Sequence, residues 1–531
     1  MKLTFFSHSS TLCGAGRSLC DLVKGFTSRG VVCSAILPKN GVLADCLREL
    51  GCSVYCVNSE IERVWQWVTP WQPKDFYFAY DLFASSVIPE VKKISPDFVI
   101  TQTITLPWGA FCAEILGIPH VLSAREYGGL DHNLNFNFGY EASIQALYET
   151  SSRALCITND VKRVLFGSDE EKKCEVIYSG IELDESQLRS SYNYSIQDCF
   201  SEKSGPVIAL IGTVQKGKGQ SDLIRAITDI LRTGQRVRCL MIGMVADIEY
   251  KKELLRLIAD SGYGSYFAMA EFDADIYPLM QQVDVVVSCS RREALGRVLI
   301  EAALLSKPII YSNTGGPLEV FENGVHGLAY EPGNIHDLSI AIQNTLSDQS
   351  STRVRVANAL SLCQKIFNNQ AYTNKTISAL ENSINPCGDS FAVSKLVADN
   401  LVFYKSQYLA KPQIYLSTCD GYSEHHKMFL EPMPWGAFEI DVEFQPPGLY
   451  RLRLDPVEGM FCEINELKIK AFEPEGSLLA VAGVSIHHNG QQMDCKILFA
   501  NSDPQIEVFF HKPVIRVVIS GDIRKSSPRE R

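Results

Sequence analysis

Short apolar strands alternating with amphipathic helices, in two successive sets, constrain this chain more than any other feature. The first set of strand-like runs is Leu3–Ser7, Val32–Leu37, Ser53–Val57, Phe98–Thr101, His120–Ser123, Ala154–Thr158 and Glu175–Ile177. Helical patterns lie between them, for example Ser18–Arg29 and Val42–Leu50. Such alternation predicts a parallel sheet with helices on both faces. A polar stretch, Leu183–Ser204, interrupts the pattern, and a second set follows: Val207–Ile211, Arg238–Ile242, Tyr266–Ala268, Val283–Ser288, Pro308–Tyr311 and Gly327–Tyr330. Leu338–Asn382 then reads as helical. Ligands of doubly wound sheets sit beyond the carboxyl ends of the strands. Two such domains facing each other would create a cleft.

The character changes near residue 395. Phe438–Phe444 alternates with period two, and Leu449–Leu454, Glu466–Phe472, Cys495–Phe499, Gln505–Phe510 and Val514–Ile519 are also strand-like. Long helical patterns are absent there, which predicts an antiparallel β-sandwich-like domain. The expected organisation is therefore a first α/β domain over residues 1–190, a second over 200–385 and a β-sandwich over 395–525. Its length, 531 residues, fits roughly three domains. The tail Arg524–Arg531 is basic and is expected to be disordered.

Composition narrows the function classes. The net charge of −11 argues against a basic nucleic-acid-binding surface. Met1–His8 reads as a buried first strand rather than a signal peptide, and no run of about 18 apolar residues predicts a spanning helix. Seventeen scattered cysteines form no CxxC pair or zinc spacing, so they read as reduced thiols of a cytoplasmic protein. His425-His426 and His487-His488 lack metal-ligand companions. Asp273-Ala274-Asp275 reads as a helix cap for Ile276–Gln282 rather than a metal site. No metal is expected.

Chemistry concentrates in a few loops. Ser290–Glu301 places two carboxylates, Glu293 and Glu301, across a loop that becomes a helix near Leu295. Lys307-Pro308 and then Asn313-Thr314-Gly315-Gly316-Pro317 follow. Ile211–Gln220 is a Gly- and Lys-rich loop between a strand and the helical pattern Ser221–Leu231. Helix N-termini and glycine-rich turns favour anions, and a lysine supplies a point charge for phosphate. Leu12–Ser18 carries Gly14 and Gly16 before another helix, and Ser123-Ala124-Arg125-Glu126-Tyr127-Gly128 follows the fifth strand run.

Together these segments resemble the donor site of the retaining glycosyltransferases of family 4, which have two facing Rossmann-like domains (the GT-B fold). The resemblance covers roughly residues 1–380 and is strongest in the second domain. It implies a sugar moved from a nucleotide-sugar donor, with retention, and no cofactor or metal. Glu301 is implied to accept the donor's ribose hydroxyls, as a carboxylate suits vicinal diols. Glu293 is implied to approach the donor sugar and diphosphate. Backbone N–H groups at Ala294, Leu295 and Gly296 would face phosphate or sugar oxygens. Gly212 and Lys218-Gly219 match the family's phosphate loop. Thr213 stands where an arginine is usual, so either Lys216 supplies that charge or the leaving phosphate is held differently.

Across the cleft, Gly14 and Gly16 are implied to face the diphosphate. Arg17 either adds charge or is a solvated residue at a helix start. Arg125 takes the place of a frequent family histidine. It cannot act as a base; with Glu126 it either serves the site or forms a buried ion pair. Catalytic candidates are Glu293, Lys218 and Arg125. Gly315 and Gly316 are expected to shape the backbone, and Glu319 to be structural. In the sandwich, Tyr404, Tyr408, Tyr415, Tyr422 and Trp435 are either core or stacking platforms for sugars.

The resemblance further implies a glycan or lipid-linked glycan acceptor in bacterial surface polysaccharide synthesis, such as O-antigen or capsule. A lipid-borne acceptor would bring peripheral contact with the inner membrane face or with other assembly enzymes. The alternative is a catalytically inactive glycan-binding scaffold of the same fold. A nucleotide-sugar epimerase or a phosphorylase-like enzyme is a further competitor. A phosphorylase would need a pyridoxal-phosphate lysine environment and a far longer chain.

Overall fold

The computed structural model describes residues 1–57, 65–69, 83–132, 134–167, 173–183, 195–270, 276–383 and 392–396, together with the backbone of the strands between 413 and 525. The chain divides into two compact units, Met1–Pro70 with Glu90–Val393, and Trp71–Pro89 with Ser394–Arg531. The segment Trp71–Pro89 thus groups with the C-terminal part, although the sequence pattern held it within residues 1–190. In its described portion, Phe83 and Val87 are fully buried.

The first unit contains two parallel sheets. The first joins β1 (Lys2–Phe6), β2 (Val32–Leu37), β3 (Ser53–Cys56), β4 (Phe98–Thr101), β5 (His120–Ala124), β6 (Arg153–Cys156) and β7 (Cys174–Val176). Their order is β3-β2-β1-β4-β5-β6-β7. The second joins β8 (Val207–Ile211), β9 (Arg238–Ile242), β10 (Phe267–Ala270), β11 (Val285–Ser288), β12 (Ile309–Ser312) and β13 (Leu328–Tyr330), in the order β10-β9-β8-β11-β12-β13. Every strand run read from the two alternating sets is present. Strand order reverses between β1 and β4 and between β8 and β11, which defines two switch points where loops diverge and ligands can enter. The loops after β1, β8 and β11 are the ones the sequence singled out.

Helix periodicity sets the packing. In the helix Gly14–Thr27, Leu19, Leu22, Val23 and Phe26 are buried at i, i+3, i+4 and i+7. In Gln220–Arg232 the same role falls to Leu223, Ile224, Ile227, Ile230 and Leu231. Each such side chain contributes about 1.5–3 kcal/mol of transfer free energy. Each sheet carries its own core, one around Leu3, Phe5 and Phe26 and another around Ile208, Ile227 and Val285.

The helical region resolves into Ile335–Ser347, Gln349–Ile366 and Asn369–Glu381. The last of these crosses back to the first domain. Tyr372, Ala379 and Leu380 enter the core around Phe5 and Phe26. Asn369 Nδ2 donates to the Asp21 carbonyl at 2.9 Å, and Arg29 reaches Asn374 Oδ1 at 3.0 Å. Gly25 permits this approach, because a Cβ there would collide with the Thr373 side chain.

The second unit contains two five-stranded antiparallel sheets. One includes Gln413–Ser417, Leu449–Asp455 and Ile506–Val514; the other includes Gly436–Glu443, Cys462–Phe472 and Arg516–Lys525. Arg524 and Lys525 belong to that last strand, where the basic tail was expected to be disordered. Backbone pairing along β-rich sequence outweighs the charge there, and 526–531 lie outside the described residues. So do Asp273–Asp275, the linker 184–194, His425, His426, Tyr404, Tyr408, Tyr422 and Trp435, and the side chains of Tyr415, His487 and His488.

Candidate active site

The β11 strand ends at Ser288, and the chain turns through Cys289–Gly296 into the helix Arg297–Leu304. Glu293 sits in that turn. Lys218 Nζ donates to Glu293 Oε2 at 2.8 Å, and Ser290 Oγ donates to the same oxygen at 2.7 Å. Burial pushes the Glu293 carboxyl up, but the Lys218 charge and these hydrogen bonds outweigh it and hold the group below its usual range. Both side chains of the pair retain about a fifth of their exposure, so a ligand can reach them. His132, on the opposing domain, adds a favourable electrostatic contribution to ionised Glu293.

The turn is held from behind by Gly315 and Gly316. Gly316 N–H donates to the Glu293 carbonyl at 2.8 Å. Gly315 has φ 66°, and a Cβ at either glycine would run into the Glu293 or Ala294 carbonyl. Only glycine lets the two backbones approach this closely. Ala294 and Leu295 are buried, and Gly296 caps the helix. The N–H groups of Ala294, Leu295 and Gly296 donate to no group among the described residues. They are donors without a partner among the described residues, in the turn that carries Glu293 and opens a helix, where anionic oxygens are favoured.

Glu301 is one turn farther into the helix and is 3% exposed. Its Oε1 accepts from Arg297 Nε at 2.7 Å and from Tyr277 Oη at 3.1 Å. Arg297 also spans the cleft, with NH2 donating to Asp21 Oδ2 at 3.0 Å. Burial pushes the Asp21 carboxyl up against the opposing pull of Arg297. Arg17 lies over the Tyr277 ring at 5.5 Å. The carboxylate assigned to the ribose is thus held by an arginine that ties the two domains together. Arg297 and Glu301 lie at i, i+4 on the helix, so their side chains meet on one face. Asp21, 276 residues away, carried no signal.

The other loop residues fall around this centre. Lys218 closes a short 3-10 turn, Lys216–Lys218, and its Cδ lies 4.0 Å from where a Cβ on Gly212 would be. Thr213 lends its carbonyl to Gln220 Nε2 at 2.9 Å. Lys216 is exposed. Gly14 opens the first-domain helix with open space beside it, and Gly16 lies against the Thr11 carbonyl.

On the first domain, Arg125 donates to Ser179 Oγ at 2.7 Å, and Ser18 Oγ donates to the same atom at 3.0 Å. Glu126 accepts from Thr103 Oγ1 and from the Ile104 N–H, the latter at 2.8 Å. Arg125 and Glu126 therefore find different partners, and the buried Arg125–Glu126 ion pair does not form. Burial pushes the Glu126 carboxyl up. His8 acts electrostatically on Cys13, the residue at the N-cap position of the Gly14–Thr27 helix. Burial raises that thiol, but His8 and the N–H groups of Ala15 and Gly16 bring it down to about 7.

A second set of contacts joins the domains. Glu319 accepts from the N–H groups of Asn159 and Asp160 at 3.0 and 3.1 Å, and from Tyr178 Oη at 2.5 Å. It caps a helix of the opposite domain. Thr158 Oγ1 donates to the Ala294 carbonyl at 3.0 Å, and Arg292 pairs with Asp160 at 2.7 Å. None of the described residues forms a metal-binding cluster of His, Cys, Asp or Glu.

Two facing Rossmann-like domains with this loop arrangement define the GT-B fold, and residues 196–360 match the family model of glycosyl transferases group 1. The chain is 26% identical over 178 residues to the capsular polysaccharide biosynthesis glycosyltransferase CapM of Staphylococcus aureus, covering 33% of this chain and 43% of that protein. It is 27% identical over 178 residues to the N-acetylgalactosamine-N,N'-diacetylbacillosaminyl-diphospho-undecaprenol 4-alpha-N-acetylgalactosaminyltransferase of Campylobacter jejuni, covering 33% of this chain and 45% of that one. The chain thus spans less than half the length of these curated relatives. The structure of Anabaena HepE with UDP and glucose superposes with a TM-score of 0.60 at 21% identity, covering 72% of this chain and 99% of HepE.

Proposed function

We propose that this protein is a retaining glycosyltransferase of family 4 that moves a sugar from a nucleotide-sugar donor to a glycan or lipid-linked glycan acceptor. The observation that carries the reading is the Lys218–Glu293 pair at the turn whose Ala294, Leu295 and Gly296 N–H groups have no partner among the described residues. Those N–H groups and Lys218 would stabilise the departing diphosphate. Glu293 would orient the transferred sugar, and Glu301 would take the ribose once donor binding redirects it from Arg297. Arg125, Arg17 and Lys216 are candidates for further phosphate or acceptor contacts, and Gly14 and Gly16 face the diphosphate from the first domain.

Attack occurs on the face from which the diphosphate leaves, and the leaving phosphate takes the acceptor proton, so no protein nucleophile is needed. The two glutamates bind ligand and do not act as the acid/base pair of a glycoside hydrolase. The reaction uses no cofactor and no metal. The capsular and undecaprenol-linked relatives favour a surface polysaccharide setting, and HepE, which binds UDP-glucose, makes uridine the first base to test. No described helix is long and apolar enough to cross a membrane, and a lipid-linked acceptor would be met at the inner membrane surface. The C-terminal sheets, read as an accessory sandwich, would either hold the growing glycan or dock a partner enzyme.

Thermal-shift titration with UDP-, GDP-, ADP-, CMP- and dTDP-sugars, with Glu301→Ala as the control, tests the reading. One nucleotide should stabilise the wild type but not the variant, and slow donor hydrolysis should accompany it. Absence of any nucleotide response would overturn the donor-site assignment in favour of a glycan-binding scaffold.

A further inference from the structure

The turn that carries Glu293 is gripped by the opposite domain at three successive residues. Arg292 Nη2 donates to Asp160 Oδ2 at 2.7 Å. The Glu293 carbonyl lies 3.5 Å from Tyr127 Oη. The Ala294 carbonyl accepts from Thr158 Oγ1 at 3.0 Å.

Tyr127 stands at the centre of these contacts and is fully buried. Its hydroxyl donates to Asp160 Oδ2 at 2.5 Å, the same oxygen that accepts from Arg292. The Arg292 guanidinium lies over the Tyr127 ring, 4.7 Å from its centre. A guanidinium within about 6 Å of a ring centre is attracted to the aromatic face, and more so when desolvated. Asp160 is itself anchored, since Arg163 donates to its other oxygen and its own N–H donates to Glu319. The loop under the ring is pinned too. Tyr127 N–H donates to Asp131 Oδ2 at 3.0 Å, and its carbonyl accepts from Tyr140 Oη at 2.8 Å. The Asp131 carbonyl then meets the second domain, 2.9 Å from where a Cβ on Gly217 would be. With no surface of its own for a ligand, Tyr127 reaches the site through Arg292 and the Glu293 carbonyl. Those contacts hold the backbone from which the Glu293 carboxylate extends to Lys218 and Ser290, across bonds of 2.8 and 2.7 Å that tolerate little displacement.

We propose that Tyr127 is a positioning residue, which clamps Arg292 from the first domain and so aims the Glu293 carboxylate at Lys218 and at the transferred sugar. The inference rests on the transferase reading for the sugar alone. In the segment Arg125-Glu126-Tyr127-Gly128, the tyrosine then serves the donor turn, whereas the arginine and the glutamate hold their own domain.

The test follows the Glu293 carboxylate by carbon-13 NMR titration of the full chain labelled at glutamate, with Glu293→Gln assigning the signal. Tyr127→Phe keeps the ring beneath Arg292 and loses the hydroxyl, and Tyr127→Leu loses both. Arg292→Lys keeps the charge and loses the plane that stacks. None of the three changes net charge, and Lys218, Ser290 and His132 around Glu293 stay in place, so an altered titration reports position and not a missing ion. The Glu293 midpoint should rise by about half a pH unit or more, a change of about threefold in proton affinity, in Tyr127→Leu and Arg292→Lys, and by less in Tyr127→Phe. Hydrolysis of UDP-, GDP-, ADP-, CMP- and dTDP-sugars is the second readout. For the sugar that the wild type hydrolyses, Tyr127→Leu should lower kcat about tenfold with KM within about twofold, and Tyr127→Phe should recover most of that loss. An unchanged midpoint in Arg292→Lys overturns the proposal, even where Tyr127→Leu fails to fold. So does a raised midpoint with kcat unchanged. A raised midpoint in a protein that hydrolyses none of the five sugars would support the clamp on Glu293 and refute the transferase reading, so the two failures are distinguishable.

Discussion

The two Rossmann-like domains share one architecture but build their halves of the cleft differently. In the second, most of the site comes from one contiguous stretch, Ser290–Glu301, braced by Gly315-Gly316 and approached by Lys218. In the first, the cleft residues are scattered over His8, Cys13, Arg17, Asp21, Arg125, Asp131 and His132, and several are committed to partners within their own domain. Glu126 holds the Thr103–Ile104 loop, and Arg125 holds Ser179. The difference teaches that a site made by one turn is written locally, whereas its opposing wall depends on what the tertiary fold delivers.

The sharpest way to break this comparison is Lys218→Ala. Removing the cation from the second-domain turn should lower turnover about 10²–10³-fold, the scale of losing one transition-state donor, in a steady-state donor assay. A loss no larger than that of Arg125→Ala would mean the first domain carries the charge stabilisation. Next comes Glu301→Ala. A hydrogen-bonded charged group is worth about 1.5–3 kcal/mol, so isothermal titration should show donor affinity weakened about 10- to 100-fold. Asp21→Asn should weaken it less, since it acts only through Arg297.

Glu319→Gln tests the junction itself. It keeps the shape but removes the charge that caps the Asn159–Phe166 helix, and calorimetry should show a loss of about 1–2 kcal/mol. An unchanged melting temperature would show that the domains are joined by their other contacts alone.

A smaller effect concerns acid. The Glu293 carboxyl is held below its usual range in the folded protein, so its stabilisation is complete above the unfolded-state value and is lost as pH falls through the folded one. The stability difference between wild type and Glu293→Gln should therefore be flat above about pH 5 and shrink below it, given an unperturbed Glu near 4.3. The smallest is local. Iodoacetamide should modify Cys13 with a half-maximal rate near pH 7, and His8→Ala should move that midpoint upward.

All thirteen strands of the parallel sheets were legible because apolar runs of three to six residues, punctuated by polar turns, leave a clear period. Glu293, Glu301, Lys218 and Gly315-Gly316 were legible through the family resemblance of their loops; the fold brings Lys218 to Glu293 across 75 residues of chain. Asp131 and His132 were not, since nothing in Gly129–His132 distinguishes a cleft wall from an ordinary turn until Gly217 is seen against it. The Arg297–Asp21 link was not read from the sequence, because its partners lie 276 residues apart and only the folded chain brings them together. Thr213 was noticed as a departure, and its carbonyl proves to serve the turn by accepting from Gln220.

The returning helix Asn369–Glu381 has a consequence for synthesis. Tyr372, Ala379 and Leu380 complete the core around Phe5 and Phe26, so the first domain cannot finish folding when its own strands have left the ribosome. It must wait, with apolar surface uncovered, until some 380 residues have emerged. At about 5–20 residues per second, the roughly 200 residues that separate β7 from this helix take about 10–40 seconds to emerge. During that interval the half-built sheet depends on chaperones or on its own solubility, and a nascent chain stalled before Asn369 would be the form most prone to aggregate.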